Sequence, residues 1–414
     1  MVVDVPLDRS GHVPGRVNIA AALYHRPGPP RQAVLALAGG PGSAAIPAAH
    51  TFQHNLAPLL ANRDLLVIDD RGTGVSGPIS CPGIDDSAVW STSAVAACAR
   101  RLGPAAGHYG SRDTSDDIED VRHELGIPSL VVYGVSYGTK TATEYAELHP
   151  RHVAGLVLDS PIVDDTDPFY RRSAVGAARV LQNLCAEGEC PAGADPVADI
   201  TAIVAKMHGT GTLSSGGVTV TEGAMLHAIV EGGSTLRALP KALHAAAAGD
   251  LRALAAVLPK QIPDARDPDW LKSTYSQTMY LATSCDDGNF PWPGNYSVRG
   301  RYLAAGRYLQ HIGDAAFAPF DRAVGVQYGE TKICAPWPAA QRQAPLPKIP
   351  DVPALLLVGG DDDIAPLEGA REIAGRLPHS QIVVIPARGH GELRGGGDPS
   401  GQALQQFAAT LPGA

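Results

Sequence analysis

Long apolar runs are missing from this chain of 414 residues, which excludes a bilayer-spanning helix of the usual length. A basic run or stripe is missing too. With 33 Lys and Arg against 42 Asp and Glu, the formal net charge is -9, which argues against a nucleic-acid partner. The opening Met1-Val2-Val3-Asp4-Val5-Pro6 lacks the basic and apolar regions of a signal peptide. The expected location is therefore cytoplasmic if Met1 is the native start, or the secreted or cell-envelope space if the chain is a mature form. No Cys-x-x-Cys pair suggests a metal site, and no phosphate-binding glycine loop precedes a lysine. The expected cofactor set is empty. Aromatic residues make up only 5 % of the chain, whereas Gly (46) and Pro (35) are plentiful, a balance that suits a loop-rich enzyme.

Hydrophobic residues reach 44 %, enough for a large core in one domain with an insertion or in several domains. The six cysteines fall into three local pairs, Cys81 with Cys98, Cys185 with Cys190 and Cys285 with Cys334. Such pairing points to disulfides and an oxidising compartment; six separate thiols in a reducing cytosol is the alternative. Nothing in the sequence speaks to oligomeric state.

Gly134-Val135-Ser136-Tyr137-Gly138 carries the most chemistry. It follows the β-rich run Leu130-Val131-Val132-Tyr133 and opens a helical stretch from Thr139 to His149. A serine on a sharp strand-to-helix turn is a nucleophile elbow. Around it the chain alternates. Val2–Leu7 and Arg16–Tyr24 read as an antiparallel edge, and Ala33–Ala38, Leu65–Ile68 and Val153–Leu158 as further strands. A helix is expected near Ser115–Leu125. From about Asp164 to Pro345 the chain turns Ala-rich and helical, with one β-like run at Gly217–Val220. Strands Ala354–Val358 and Gln381–Ile385 and helices Leu367–Leu377 and Gln402–Leu411 then resume the rhythm. This pattern predicts an α/β fold with a mostly parallel, helix-covered sheet. The expected division is core 1–163, helical cap 164–345 and core 346–414.

A serine hydroxyl needs a base and an orienting acid. On such sheets the chain order is Ser, Asp or Glu, His. His390, in the Gly-flanked turn after the last strand, is the expected base. Asp361-Asp362-Asp363 follows the preceding strand; Asp362 is preferred on spacing, with Asp363 as runner-up. The oxyanion needs two backbone N–H donors. Tyr137, next after the nucleophile, and Gly40, after the Ala33–Ala38 strand, are the candidates.

Together these segments resemble the tripeptidyl aminopeptidase and proline iminopeptidase branch of the α/β-hydrolases. The resemblance rests on Gly39-Gly40-Pro41-Gly42, Asp70-Arg71-Gly72-Thr73-Gly74, the Ser136 elbow, and the Asp362 and His390 loops. On the tripeptidyl side it adds Cys285-Asp286-Asp287-Gly288 and Cys334 with Trp337-Pro338. It implies an α/β-hydrolase fold and release of residues from a free peptide N-terminus. It also implies a cap carboxylate for the substrate ammonium, with Asp287, Glu222 and Glu231 as candidates. Ala38, Ser43-Ala44-Ala45-Ile46 and Ala365 depart from the family pattern near the pocket. They keep open an esterase or amide hydrolase of small metabolites with the same triad. A binding protein with a retired site is the remaining reading.

Overall fold

The computed structural model describes residues 1–25, 32–163, 167–263, 274–292, 294–338 and 348–411. Eight strands form the main sheet: β1 (Val2–Pro6), β2 (Arg16–Tyr24), β3 (Ala33–Leu37), β4 (Asp64–Ile68), β5 (Leu130–Val135), β6 (Val153–Asp159), β9 (Ala354–Gly359) and β10 (Ser380–Ile385). Their order is β1-β2-β4-β3-β5-β6-β9-β10. β1 and β2 form the antiparallel edge, and every pair from β4 to β10 is parallel. The fully buried runs of β3, β4 and β9 show why these strands read as continuous apolar stretches: both faces of the sheet are covered. The last strand, β10, is a partly exposed edge.

Successive residues point to opposite faces. Val34, Ala36, Val131, Tyr133, Leu355 and Leu357 pack with Leu404 and Phe407 of the last helix, Pro399–Ala408. Leu35, Leu37, Val132, Leu156 and Leu356 belong to a larger cluster on the other face. That cluster runs on into the helices between β6 and β9, through Phe169, Leu181, Met225 and Leu281.

Those intervening helices include Arg171–Ala186, Glu222–Val230, Gln277–Asp287 and Val298–Ile312. The first buries Ala174, Ala177, Val180, Leu181 and Leu184, the spacing of one helical stripe. Ser276 starts Gln277–Asp287 by accepting the Met279 N–H, an ordinary N-cap. Residues 164, 345 and 346, where the expected insertion boundaries fall, lie outside the described residues.

Two expectations need amending. The β-like run at Gly217–Val220 is one arm of a hairpin, β7 (Thr212–Ser215) with β8 (Val218–Thr221); the exposed first arm, Thr-Leu-Ser-Ser, has too little apolar patterning to be seen. The helix expected at Ser115–Leu125 begins earlier, at Ser111, because its first turn is polar and lies outside the apolar stripe.

Candidate active site

β5 delivers Ser136 to the start of helix Tyr137–Leu148 with φ 55 and ψ -126, a conformation costly for a residue with a side chain. The surroundings enforce it. The Ser136 N–H donates to the Asp159 carbonyl at 2.8 Å, and the Thr139 N–H and hydroxyl donate to the Ser136 carbonyl at 2.9 and 2.6 Å. A Cβ on Gly134 would stand 2.3 Å from the Gly138 carbonyl oxygen, and one on Gly138 2.5 Å from that of Ala38. Both glycines are therefore required by the close crossing of backbones.

The candidate base and acid, His390 and Asp362, come from the next strand ends. Nδ1 of His390 lies 3.1 and 3.0 Å from the two carboxylate oxygens of Asp362. Asp362 Oδ1 also accepts the N–H groups of Ile364 and Ala365 at 3.0 and 2.9 Å. Burial opposes charge on this carboxyl, but His390 and the Ala365 N–H outweigh it and hold it below the usual carboxylate range. Asp363 points elsewhere: neither side-chain oxygen has a hydrogen-bond partner among the described residues, and burial pushes its carboxyl well above the usual range. The amide of Asn183 donates to Asp361 Oδ1 at 2.9 Å.

Two residues at the end of β6, Asp159 and Ser160, absent from the sequence candidates, hold the His390 loop. Asp159 accepts the N–H groups of Glu392 and Leu393 at 2.7 and 2.9 Å and the Tyr133 hydroxyl at 3.0 Å. Ser160 accepts the Gly391 N–H at 2.9 Å, and its hydroxyl helps to hold the Asp362 carboxyl low. Their only signal was their position at the end of a strand next to the elbow.

Ser136, His390, Gly40 and Tyr137 all line one cavity of about 960 Å³. Gly40, at φ +118, sits on the turn after β3. Tyr137 is the first residue of its helix, whose leading N–H groups have no partner within the helix. From the helices between β6 and β9 come Asp287, Glu231 and Glu330, which line the same cavity. Glu222 does not: it is fully buried and accepts the Asp321 N–H at 2.9 Å. Glu330, not foreseen, accepts the hydroxyls of Tyr170 and Tyr280 at 3.3 and 3.4 Å. It lies four residues before Cys334, and no local motif distinguishes it. Arg71 lies away from the cavity; buried, it grips both oxygens of Asp117 at 2.7 and 2.6 Å and the Leu7 carbonyl at 2.9 Å. The Asp70–Gly74 segment is thus a fixed turn.

Three disulfides join Cys81 to Cys98, Cys185 to Cys190 and Cys285 to Cys334. Among the described residues, no helix is long and apolar enough to cross a membrane, and no group of acidic, His and Cys side chains could hold a metal.

Comparison with known proteins agrees with the fold. A family model described as alpha/beta hydrolase fold matches residues 32–186, and one described as TAP-like protein matches residues 319–410. The serine protease Hip1 of Mycobacterium tuberculosis is 30 % identical over 186 residues, 38 % of this chain and 36 % of that protein. A proline iminopeptidase of Neisseria gonorrhoeae is 34 % identical over 128 residues, covering 30 % and 31 %. The tripeptidyl aminopeptidase of Streptomyces lividans is 28 % identical over 211 residues, covering 45 % and 36 %. The chain spans about a third of the length of these relatives. It has the α/β-hydrolase fold. Within that fold it resembles the tripeptidyl aminopeptidase and proline iminopeptidase branch.

Proposed function

We propose that this protein is a serine exopeptidase that cleaves residues or short peptides from a free N-terminus. One observation carries the reading. A strained serine and a carboxylate-paired histidine line a cavity that carboxylates from the helical insertion also line.

In this mechanism Ser136 Oγ attacks the scissile carbonyl while His390 takes its proton. Asp362 fixes the imidazole orientation and stabilises the imidazolium that forms. The N–H groups of Tyr137 and Gly40 receive the developing oxyanion. His390 then hands its proton to the leaving amine, and water repeats the sequence to release the acyl group. No cofactor takes part. The residues between β6 and β9 act as a lid that sets the distance from the substrate ammonium to the carbonyl. Glu330, held by two tyrosine hydroxyls, and Glu231 are the carboxylates we assign to that ammonium. The three disulfides support a secreted or cell-envelope location.

The test is a pair of chromogenic peptide amides, one with a free and one with an acetylated N-terminus. The free form should turn over at least tenfold faster in kcat/KM. Equal rates, with short acyl esters preferred over both, would replace the exopeptidase reading with an esterase acting through the same triad.

A further inference from the structure

We propose that Asp287 is a positioning residue for the oxyanion hole and not the anchor of the substrate ammonium. The proposal rests on the serine-hydrolase reading of Ser136 and changes what one acid of that site does.

Asp287 ends the helix Gln277–Asp287, which belongs to the insertion, yet its carboxylate is engaged by the core. The Tyr137 hydroxyl donates to Oδ2 at 2.5 Å. The Ser111 N–H donates to Oδ1 and Oδ2 at 3.1 and 3.3 Å. Ser111 is the first residue of helix Ser111–Glu124, whose preceding residue Gly110 makes no side-chain cap. Asp287 therefore supplies, from another part of the chain, the negative group that a helix N-terminus favours. The approach is close enough that a Cβ on Gly110 would stand 2.7 Å from Oδ1. Neighbouring groups fix the same junction: the Tyr109 N–H donates to Asp286 at 3.4 Å, and the Thr283 hydroxyl donates to the Tyr109 carbonyl at 2.8 Å.

The other end of this contact is the catalytic one. Tyr137 is both the residue after the nucleophile and the first residue of the elbow helix. Its ring is buried, and burial, with Asp287 beside it, drives its hydroxyl well above the usual tyrosine range. It is a firm proton donor at every working pH. A hydrogen bond from ring to carboxylate fixes the side chain of the residue whose backbone N–H faces the oxyanion. Donors fixed before reaction cost no reorganisation when charge develops. An ammonium anchor, in contrast, offers its lone pairs to the ligand; both oxygens of Asp287 already serve two core donors, the Tyr137 hydroxyl and the Ser111 N–H, whereas the two tyrosine hydroxyls at Glu330 share Oε1.

Two variants separate the roles. Tyr137→Phe keeps the backbone N–H and the ring but removes the hydroxyl; Asp287→Asn keeps the shape but removes the charge. Each is assayed on a free-amine peptide anilide and on p-nitrophenyl acetate, which has no ammonium. Each should lower kcat about tenfold on both substrates, less than the loss of a whole donor, with KM within about twofold. The double variant should be no worse than the more damaging single one, because both act on one contact, Asp287→Asn by weakening it and Tyr137→Phe by removing its donor. If Asp287→Asn raises KM for the anilide and leaves the ester at wild-type rate, Asp287 is the anchor and the proposal is overturned. Wild-type kcat in Tyr137→Phe would also overturn it. Should Asp287→Asn fail to fold, Tyr137→Phe decides alone. Labelling of the wild type by a fluorophosphonate probe separates the two levels. A labelled wild type with an undisturbed Tyr137→Phe variant defeats only the positioning role, whereas an unlabelled, inert wild type defeats the hydrolase reading and this proposal with it.

Discussion

The sheet's C-terminal edge and the helical insertion face each other across one cavity but are built differently. At the edge, backbone groups do most of the positioning. Ser136, Gly391, Glu392 and Leu393 are held through main-chain N–H groups, and the acceptors, the Asp159 carboxylate and carbonyl and the Ser160 hydroxyl, stand at the end of one strand. In the insertion, two acids that line the cavity meet tyrosine side chains: Glu330 with Tyr170 and Tyr280, and Asp287 with Tyr137. Backbone placement follows from strand register, so the chemistry of the edge tolerates little change. Side-chain placement can change one residue at a time, which suits a wall that selects substrates.

That contrast can be broken at the edge first. Ser136→Ala should lose about six orders of magnitude in kcat, as removal of a serine nucleophile does, together with all fluorophosphonate labelling. Asp362→Asn should lose about four orders, measured as kcat on the best peptide substrate. Asp363→Asn should stay within severalfold of wild type, because Asp363 is buried, without a hydrogen-bond partner among the described residues, and favours its proton. The reverse ranking would place the orienting acid at 363 and undo the account of the edge.

Disulfides sharpen the comparison through stability. The loops closed at Cys285–Cys334, Cys81–Cys98 and Cys185–Cys190 have sequence separations of 49, 17 and 5. Loop entropy ranks their removal at about 4, 3 and 2 kcal/mol. Paired Cys→Ser variants in denaturant titrations should follow that order. A larger loss at Cys185–Cys190 would mean that insertion packing, not chain entropy, sets the scale.

The smallest effect concerns pH. Burial, then neighbouring Asp321, raises the Glu222 carboxyl from 4.5 to about 8 in spite of the Asp321 N–H. The unfolded chain sheds this proton first, so the contribution to stability falls as pH rises from about 4.5 to about 8 and is flat beyond. Glu222→Gln should gain on wild type across that window in thermal melts taken from pH 5 to pH 8.5. A constant difference at every pH would show that Glu222 is ionised in the fold.

The edge was legible because its requirements are local. A glycine at a backbone crossing, a serine between strand and helix and a histidine after the last strand each leave a mark within a few residues. The preference for Asp362 over Asp363 came from spacing alone; the sequence could not show that only one faces the imidazole. Within the insertion, the acids most relevant to the cavity were harder to read. Glu222 resembled a lid carboxylate, but its helix turns it into the interior against Asp321. Glu330 was missed because its setting, two tyrosines far apart in the chain, exists only after folding. Asp159 and Ser160 were missed because the loop they hold, at Gly391 to Leu393, lies more than two hundred residues away.

Strands β6 and β9 flank the whole insertion, yet they are direct neighbours, paired from Leu156 with Ala354 to Asp159 with Leu357. The chain leaves the sheet and returns one strand over. A different excursion could be spliced between the same two strands without disturbing a rung of the ladder, so specificity can evolve by exchange of a module while the reaction machinery is inherited intact. The contact between Asp287 and Tyr137 sets the condition on such an exchange: a transplanted module must bring its own partner for that tyrosine.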